Sequence, residues 1–202
     1  SVMPHEQAIS LMKQRKLTKE VPFDEDFAFW IAFVLSDGSI GEKCIEVVQK
    51  NYPETIDRFV EISQKYGFNP GVGIDKAGCR FARIYSKPLV EYLGIRFKIK
   101  GGRDKEIPSW FLSLPRAMNR EFLKTFISLE SSLRDNRVVF TQKSHNNINL
   151  ISYMLLREGV ISWIRHDGRI YRLKIQGKDL VSYLNNVGWV SEEKIKNVDL
   201  KR

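Results

Sequence analysis

Two acids in this chain close apolar runs of the same kind. Asp37 follows Phe29-Trp30-Ile31-Ala32-Phe33-Val34-Leu35-Ser36, and Glu130 follows Phe122-Leu123-Lys124-Thr125-Phe126-Ile127-Ser128-Leu129. Twelve residues after each acid comes a Gln-Lys pair, Gln49-Lys50 and Gln142-Lys143. Acid and pair recur at one offset, 93 residues. The runs read as helices, and a helix C-terminus is the negative end of its dipole, so a carboxylate there is disfavoured. Two such acids side by side add repulsion, and a divalent cation removes both penalties. Mg2+ prefers oxygen ligands, commonly one or two carboxylates with phosphate oxygens and waters. A metal held in this way activates water and stabilises the leaving oxygen in phosphodiester cleavage. The bland alternative is two core helices whose acids cap loops. The duplicated Gln-Lys pairs weigh against it.

The elements that must position these residues also come twice, and such self-similarity marks duplicated units. Residues 54–66 form an amphipathic run ending at Gly67, and 148–158 answer it before Gly159. Lys87-Pro88-Leu89-Val90-Glu91-Tyr92-Leu93 answers Lys178-Asp179-Leu180-Val181-Ser182-Tyr183-Leu184 at an offset of 91. The first unit is expected to run as a helix capped by Asp24 and stopped by Gly38, a strand at 45–48, a helix at 54–66, a hairpin across 71–85 and a short helix from Lys87. The second repeats it: helix to Glu130, strand 136–142, helix 148–158, a hairpin turning at Asp167-Gly168, helix 178–186. The boundaries read as a basic leader (1–24), a first half (25–99), a linker (100–106) in the glycine-rich charged stretch, a second half (107–190) and a charged tail (191–202).

Length and composition fit an ordinary globular protein with a real core. The 202 residues hold 33 Lys and Arg against 24 Asp and Glu, a net charge of +9. That excess favours a polyanionic partner, because neutralised phosphates release counterions. Arg80, Arg83, Arg165, Arg169, Arg172 and Lys174 fall in the hairpins. A two-stranded ribbon fits the major groove, where Arg and Gln read guanine and adenine edges. Residues 171–176 alternate apolar with polar, giving one dry and one basic face. Gln49 and Gln142 are candidates to orient water or bind bases, or are plain strand polars. Lys50 and Lys143 are phosphate contacts or solvated lysines. Lys87 and Lys178 polarise a phosphate or assist water deprotonation, or lie on the surface. His5, His145 and His166 lack ligand or triad spacing and read as surface residues. Trp30, Trp110, Trp163 and Trp189 read as core. Cys44 and Cys79 are too few for a disulfide framework or zinc site, and are expected in strands of a protein from a reducing interior. With no signal peptide and no apolar run of about 18 residues, an intracellular protein (cytoplasm or organelle) with no membrane partner is expected.

The residues 30–38 and 123–131, each with its downstream Gln-Lys pair, and Ile107-Pro108-Ser109-Trp110-Phe111 before the second run, resemble the single-chain, two-motif LAGLIDADG homing endonucleases. The resemblance implies an α+β fold: αββαββα halves in pseudo-twofold repeat, saddle-shaped antiparallel sheets on DNA, motif helices at the central interface. It implies that Asp37 and Glu130 bind two or three Mg2+ ions, for which Mn2+ substitutes. Gln49 and Gln142 match polar residues near the active site, and Lys87 and Lys178 match a lysine placed against it in some members. Ser131 departs from the usual glycine and Leu129 from the usual small residue, which bears on the second helix and on the balance of cleavage between strands. The expected function is a monomeric, site-specific endonuclease making a double-strand break in a long pseudo-palindromic DNA site. No splicing signature is visible, so an intron-encoded enzyme of intron homing is expected. The alternatives are a catalytically silent RNA maturase, with intron RNA as partner, or a DNA-binding regulator on the same scaffold, and a basic interaction module without a nucleic-acid role.

Overall fold

A computed structural model describes residues 21–97, 105–196 and 198. His5, most of the expected leader and linker, and the end of the tail lie outside the described residues. The chain divides between Lys105 and Glu106 into two compact units.

The first unit begins with helix α1, Glu25–Ser36. Asp24 caps it by accepting from the Phe27 amide, and Glu25 and Asp26 place negative charge at its positive end. From Ala28 to Ser36 every residue is buried, as expected for a helix apolar all round. Strands β1 (Gly38–Ile40) and β2 (Cys44–Gln49), helix α2 (Glu54–Lys65), strands β3 (Gly71–Ile74) and β4 (Arg80–Tyr85) and helix α3 (Lys87–Phe97) follow. The sheet is antiparallel in the order β1-β2-β4-β3. α2 packs on α1 through Trp30 stacked on Phe59 (5.5 Å) and Phe33 edge-on to the same ring (5.6 Å). The Trp30 indole donates to Ser63 Oγ at 2.9 Å, so its buried N–H is satisfied.

The second unit opens with a 3-10 turn, Ser109–Ser113, and then repeats the order: α4 (Arg116–Glu130), β5 (Ser131–Arg134), β6 (Arg137–Gln142), α5 (His145–Arg157), β7 (Trp163–His166), β8 (Tyr171–Gln176) and α6 (Lys178–Asn186), with a short α7 (Glu192–Lys196) after it. Its sheet order is β5-β6-β8-β7. Each unit is thus αββαββα, as the resemblance implied. The register repeats as well. Gly38 faces Val47 and Ser131 faces Phe140, both shifted by 93 residues. Glu46 faces Arg83, and Val139 faces Lys174. An aromatic ladder of Phe111, Phe122, Phe126 and Phe140 runs from the 3-10 turn through α4 to β6. Among the described residues no helix is long and apolar enough to cross a membrane.

Three expectations are corrected. The residues themselves did not announce β1 and β5, whose three and four residues carry no clear alternation; β5 turns into β6 through Asp135 and Asn136, both at positive φ, the geometry of a tight hairpin turn. Cys79 lies in the loop before β4, not in a strand. Gly38 does not stop α1 by left-handed geometry. It opens β1, and a Cβ there would sit 2.3 Å from the Val34 carbonyl oxygen, so close backbone approach demands glycine.

Candidate active site and nucleic-acid interface

Asp37 is the C-cap of α1 and is half-buried. The residues of β1 turn back along β2, so the end of β2 returns to the end of α1. There Gln49, itself buried, donates from Nε2 to Asp37 Oδ2 at 2.6 Å. The Gln49 amide oxygen accepts from the backbone N–H groups of Lys50 (2.9 Å) and Asn51 (2.8 Å). Those bonds fix which end of the amide faces the acid. The twelve-residue spacing is therefore the length of a helix end, a short hairpin and one strand.

The sequence reading missed Lys105. Its Nζ donates to the carbonyls of Ser36 (2.8 Å) and Val34 (3.1 Å) at the C-terminal end of α1. An ammonium there offsets the negative end of the helix dipole. The electrostatic cost of placing Asp37 at that end is thus partly met by the chain itself, through Lys105 and the Gln49 amide. No pattern signal marked Lys105, which falls in the expected linker (100–106), outside both repeats.

In the second unit Glu130 is the last residue of α4 and half-buried, and Gln142 ends β6. Ser131, where the first copy has Gly38, is extended (φ −129°), and its hydroxyl donates to the Ile127 carbonyl at 2.5 Å. Ile127 corresponds to Val34. The carbonyl that excludes a side chain in the first copy thus accepts a hydrogen bond in the second. That is how α4 accommodates the departure from glycine. The other end of α4 is fixed by Glu158, 1% exposed, which accepts from Arg120 Nε (2.6 Å), Asn119 Nδ2 (2.9 Å) and Arg116 Nε (3.1 Å). Burial pushes this carboxyl up, but the three donors outweigh it and hold it below the usual value.

The lysines and arginines fall into different places than one basic group. Lys87 opens α3 just after Tyr85, which faces Cys44. Gln49 is five residues along β2 from Cys44, about 17 Å at a strand's rise. Within the unit Lys87 therefore sits at the far end of the strand from Asp37, and it is paired with Glu91 at 3.8 Å. Lys178 opens α6 after Gln176, which faces Arg137, at the corresponding far end from Gln142. The geometry within each unit gives neither lysine a place beside its acid. Lys50 and Lys143 are exposed just past β2 and β6. Arg80 shares the parity of Ala82 and Ile84, which are buried, and binds Asp57 of α2 through both terminal nitrogens. It clamps helix to strand, on the face turned to the helices rather than the open one, and the parity of Arg80 in β4 was the available signal.

The opposite face of each sheet is open. In the second unit it carries Arg134, Arg137, Arg165, Arg172 and Lys174 around a concavity of about 730 Å³. Arg165 and Arg172 share Asp167 (2.9 and 3.1 Å), and Arg137 pairs with Asp135. Five cations thus meet two acids, both in turns. Arg169 is exposed at the tip of the same hairpin. Trp163 stands on this face, 67% exposed, which corrects its expected core placement. Its parity with Arg165 in β7 placed it there. Trp30 and Trp189 are buried as expected, and Trp110 is half-buried. His145 and His166 lie on the surface, both in ring contact with Tyr171 (4.9 and 4.4 Å).

Among the described residues no group of three or more His, Cys, Asp or Glu could hold a metal. What each unit offers at its helix end is one carboxylate, a hard oxygen donor. That fits Mg2+ or a similar ion, which takes few protein ligands and completes its shell from phosphate and water.

Residues 117–188 match a family model described as a LAGLIDADG-like domain. Among curated proteins, the replication factor C small subunit of Methanocaldococcus jannaschii is 24% identical over 196 residues, covering 90% of this chain and 10% of that protein. The chain thus spans about a tenth of that relative's length. Among solved structures, the homing endonuclease I-WcaI bound to its DNA recognition sequence superposes with a TM-score of 0.66 at 14% identity, covering 100% of this chain and 96% of that one. I-DmoI in complex with DNA and Mn gives 0.63 at 14% identity, covering 83% and 98%. Full-length DUF199/WhiA from Thermatoga maritima gives 0.59 at 11% identity, covering 95% and 63%.

Proposed function

We propose that this chain, whose fold is that of the single-chain LAGLIDADG homing endonucleases, is a DNA endonuclease that hydrolyses phosphodiester bonds with a divalent metal. The open sheet faces hold the duplex. In the second unit Arg134, Arg137, Arg165, Arg172 and Lys174 supply the phosphate and base contacts. Asp37 and Glu130 are the metal-binding acids. Gln49 orients the Asp37 carboxylate, and Gln142 is its counterpart in the second unit. Lys105 holds the end of α1 and offsets its dipole. The metal, Mg2+ or Mn2+, supplies an activated water and stabilises the leaving oxygen. One chain carries both acids, so the enzyme acts as a monomer on a site whose two halves differ.

The observation that carries this reading is the 2.6 Å hydrogen bond from Gln49 to Asp37. A buried amide locked by two backbone donors is spent on orienting one carboxylate at a helix end. A protein that only bound DNA has no use for an acid held there, close to a phosphate. The test starts from duplexes selected for binding out of a random pool, then incubated with Mg2+ or EDTA. Both strands are cut with Mg2+ and neither with EDTA. Asp37→Asn and Glu130→Gln each lose cutting and keep binding. Tight binding by the wild-type chain with no cutting in Mg2+ or Mn2+ would replace the enzyme with a regulator on the same scaffold.

A further inference from the structure

The two sheets are copies in backbone and register, yet their open faces differ in charge. On the strands of the first, two charged residues stand on the open face, Glu46 and Arg83, directly opposite each other. Arg83 Nε donates to Glu46 Oε2 at 2.7 Å, and Nη2 donates to the same oxygen. Its Nη1 donates to the Tyr85 hydroxyl at 3.1 Å. The guanidinium also lies 5.5 Å from the Phe81 ring centre and 5.9 Å from that of Tyr85. All three guanidinium nitrogens are occupied inside the sheet. At the matching places of the second sheet stand Val139 and Lys174, facing each other in the same register. The acid is gone and the cation is kept. The edge strands differ in the same sense. Gly73 of β3 leaves room for the Phe81 ring, which a Cβ there would meet at 2.6 Å, and Gly71 likewise places no side chain on this face. Their counterparts in β7 are Trp163 and Arg165.

We propose that the two units grip DNA unequally: the open face of the second sheet is the electrostatic anchor, while in the first sheet Glu46 withholds Arg83 from phosphate. The inference rests on the DNA reading above. Arg83 gives two nitrogens to Glu46 and the third to Tyr85, so it must break that pair before it can neutralise a phosphate, whereas Arg165 and Arg172 each give one nitrogen to a single shared Asp167. Lys174 and Arg134, which no acid pairs with among the described residues, release their counterions in full. The first half of the target is then read through Phe81, Tyr85 and the edges of the pair rather than gripped by charge.

The experiment is the salt dependence of duplex affinity between about 50 and 200 mM, measured by fluorescence anisotropy on the full chain. Lys174→Ala and Arg134→Ala each reduce the slope of log K against log salt by about 0.9, one phosphate contact. Arg83→Ala leaves the slope nearly unchanged. Glu46→Gln frees Arg83, tightens binding and steepens the slope by about 0.9. Glu46→Val, which copies the second sheet, does the same through a different side chain and guards against a misfolded variant. Phosphate-ethylation interference on a selected site shows contacts crowded onto one half in the wild type and spread more evenly in Glu46→Gln. Equal slope losses from Arg83→Ala and Lys174→Ala, or weaker binding in both Glu46 variants, overturn the imbalance alone. A wild-type chain whose affinity for every duplex ignores salt overturns the DNA reading, and the imbalance with it.

Discussion

Replacing Glu158 by glutamine tests how α4 is held, and through it the placement of Glu130 fourteen residues from its start. The carboxylate is 1% exposed and receives three side-chain donors, two of them guanidinium groups. Hydrogen bonds to a charged group are worth about 1.5–3 kcal/mol each. They do not simply add here. The Arg116 and Arg120 side chains are 65% and 37% exposed, so water takes over much of what they lose. Glutamine keeps one acceptor and turns an N–H2 toward a guanidinium. The net cost is about 2–3 kcal/mol, and for a chain of this size that lowers the melting temperature by about 4–12 °C. The pH dependence gives the sharper check. Glu158 is held below its ordinary value in the folded chain, so its contribution is complete above the unfolded value of about 4.3 and is lost as pH falls through the folded one. Wild type and Glu158→Gln therefore differ fully at neutral pH and converge in acid. A gap that stays constant from neutral pH down to about pH 3, by calorimetry, would refute the assignment of that stability to a charged Glu158.

Gln49→Ala removes the donor to Asp37 and lowers cleavage by about 10–100-fold while DNA affinity without metal is unchanged, since outer groups that orient metal ligands act on that scale; a parallel loss of affinity would make Gln49 a DNA contact instead. Gly38→Ala forces a Cβ against the Val34 carbonyl and costs about 1–3 kcal/mol in thermal unfolding, whereas Ser131→Gly loses one hydrogen bond and costs about 1 kcal/mol. Equal costs at the two positions would mean the copies turn from helix to strand in the same way.

Parity within strands was legible and decided more than residue type. Arg80 and Arg83 read alike as hairpin arginines, yet Arg80 lies level with Ala82 and Ile84 and so faces the helices. Trp163 looked like core because tryptophan usually is, although its parity with Arg165 put it on the open face. Lys105 carried no signal, since a lysine reaching two helix-end carbonyls has no spacing rule. The short strands β1 and β5 were hidden because three or four residues cannot display a period.

By itself the sequence determined the duplication, the order of the helices and the longer strands, and the spacing of each acid from a glutamine twelve residues on. Those follow from local periodicity and from repetition, which survive in one dimension. The tertiary structure alone decided which amide reaches Asp37, which arginine is tied up by Glu46 or Asp57, and which lysine steadies the end of α1. Such choices depend on hydrogen bonds a few ångströms long between residues 12 to 71 positions apart, and a linear pattern records spacing along the chain but not distance across it.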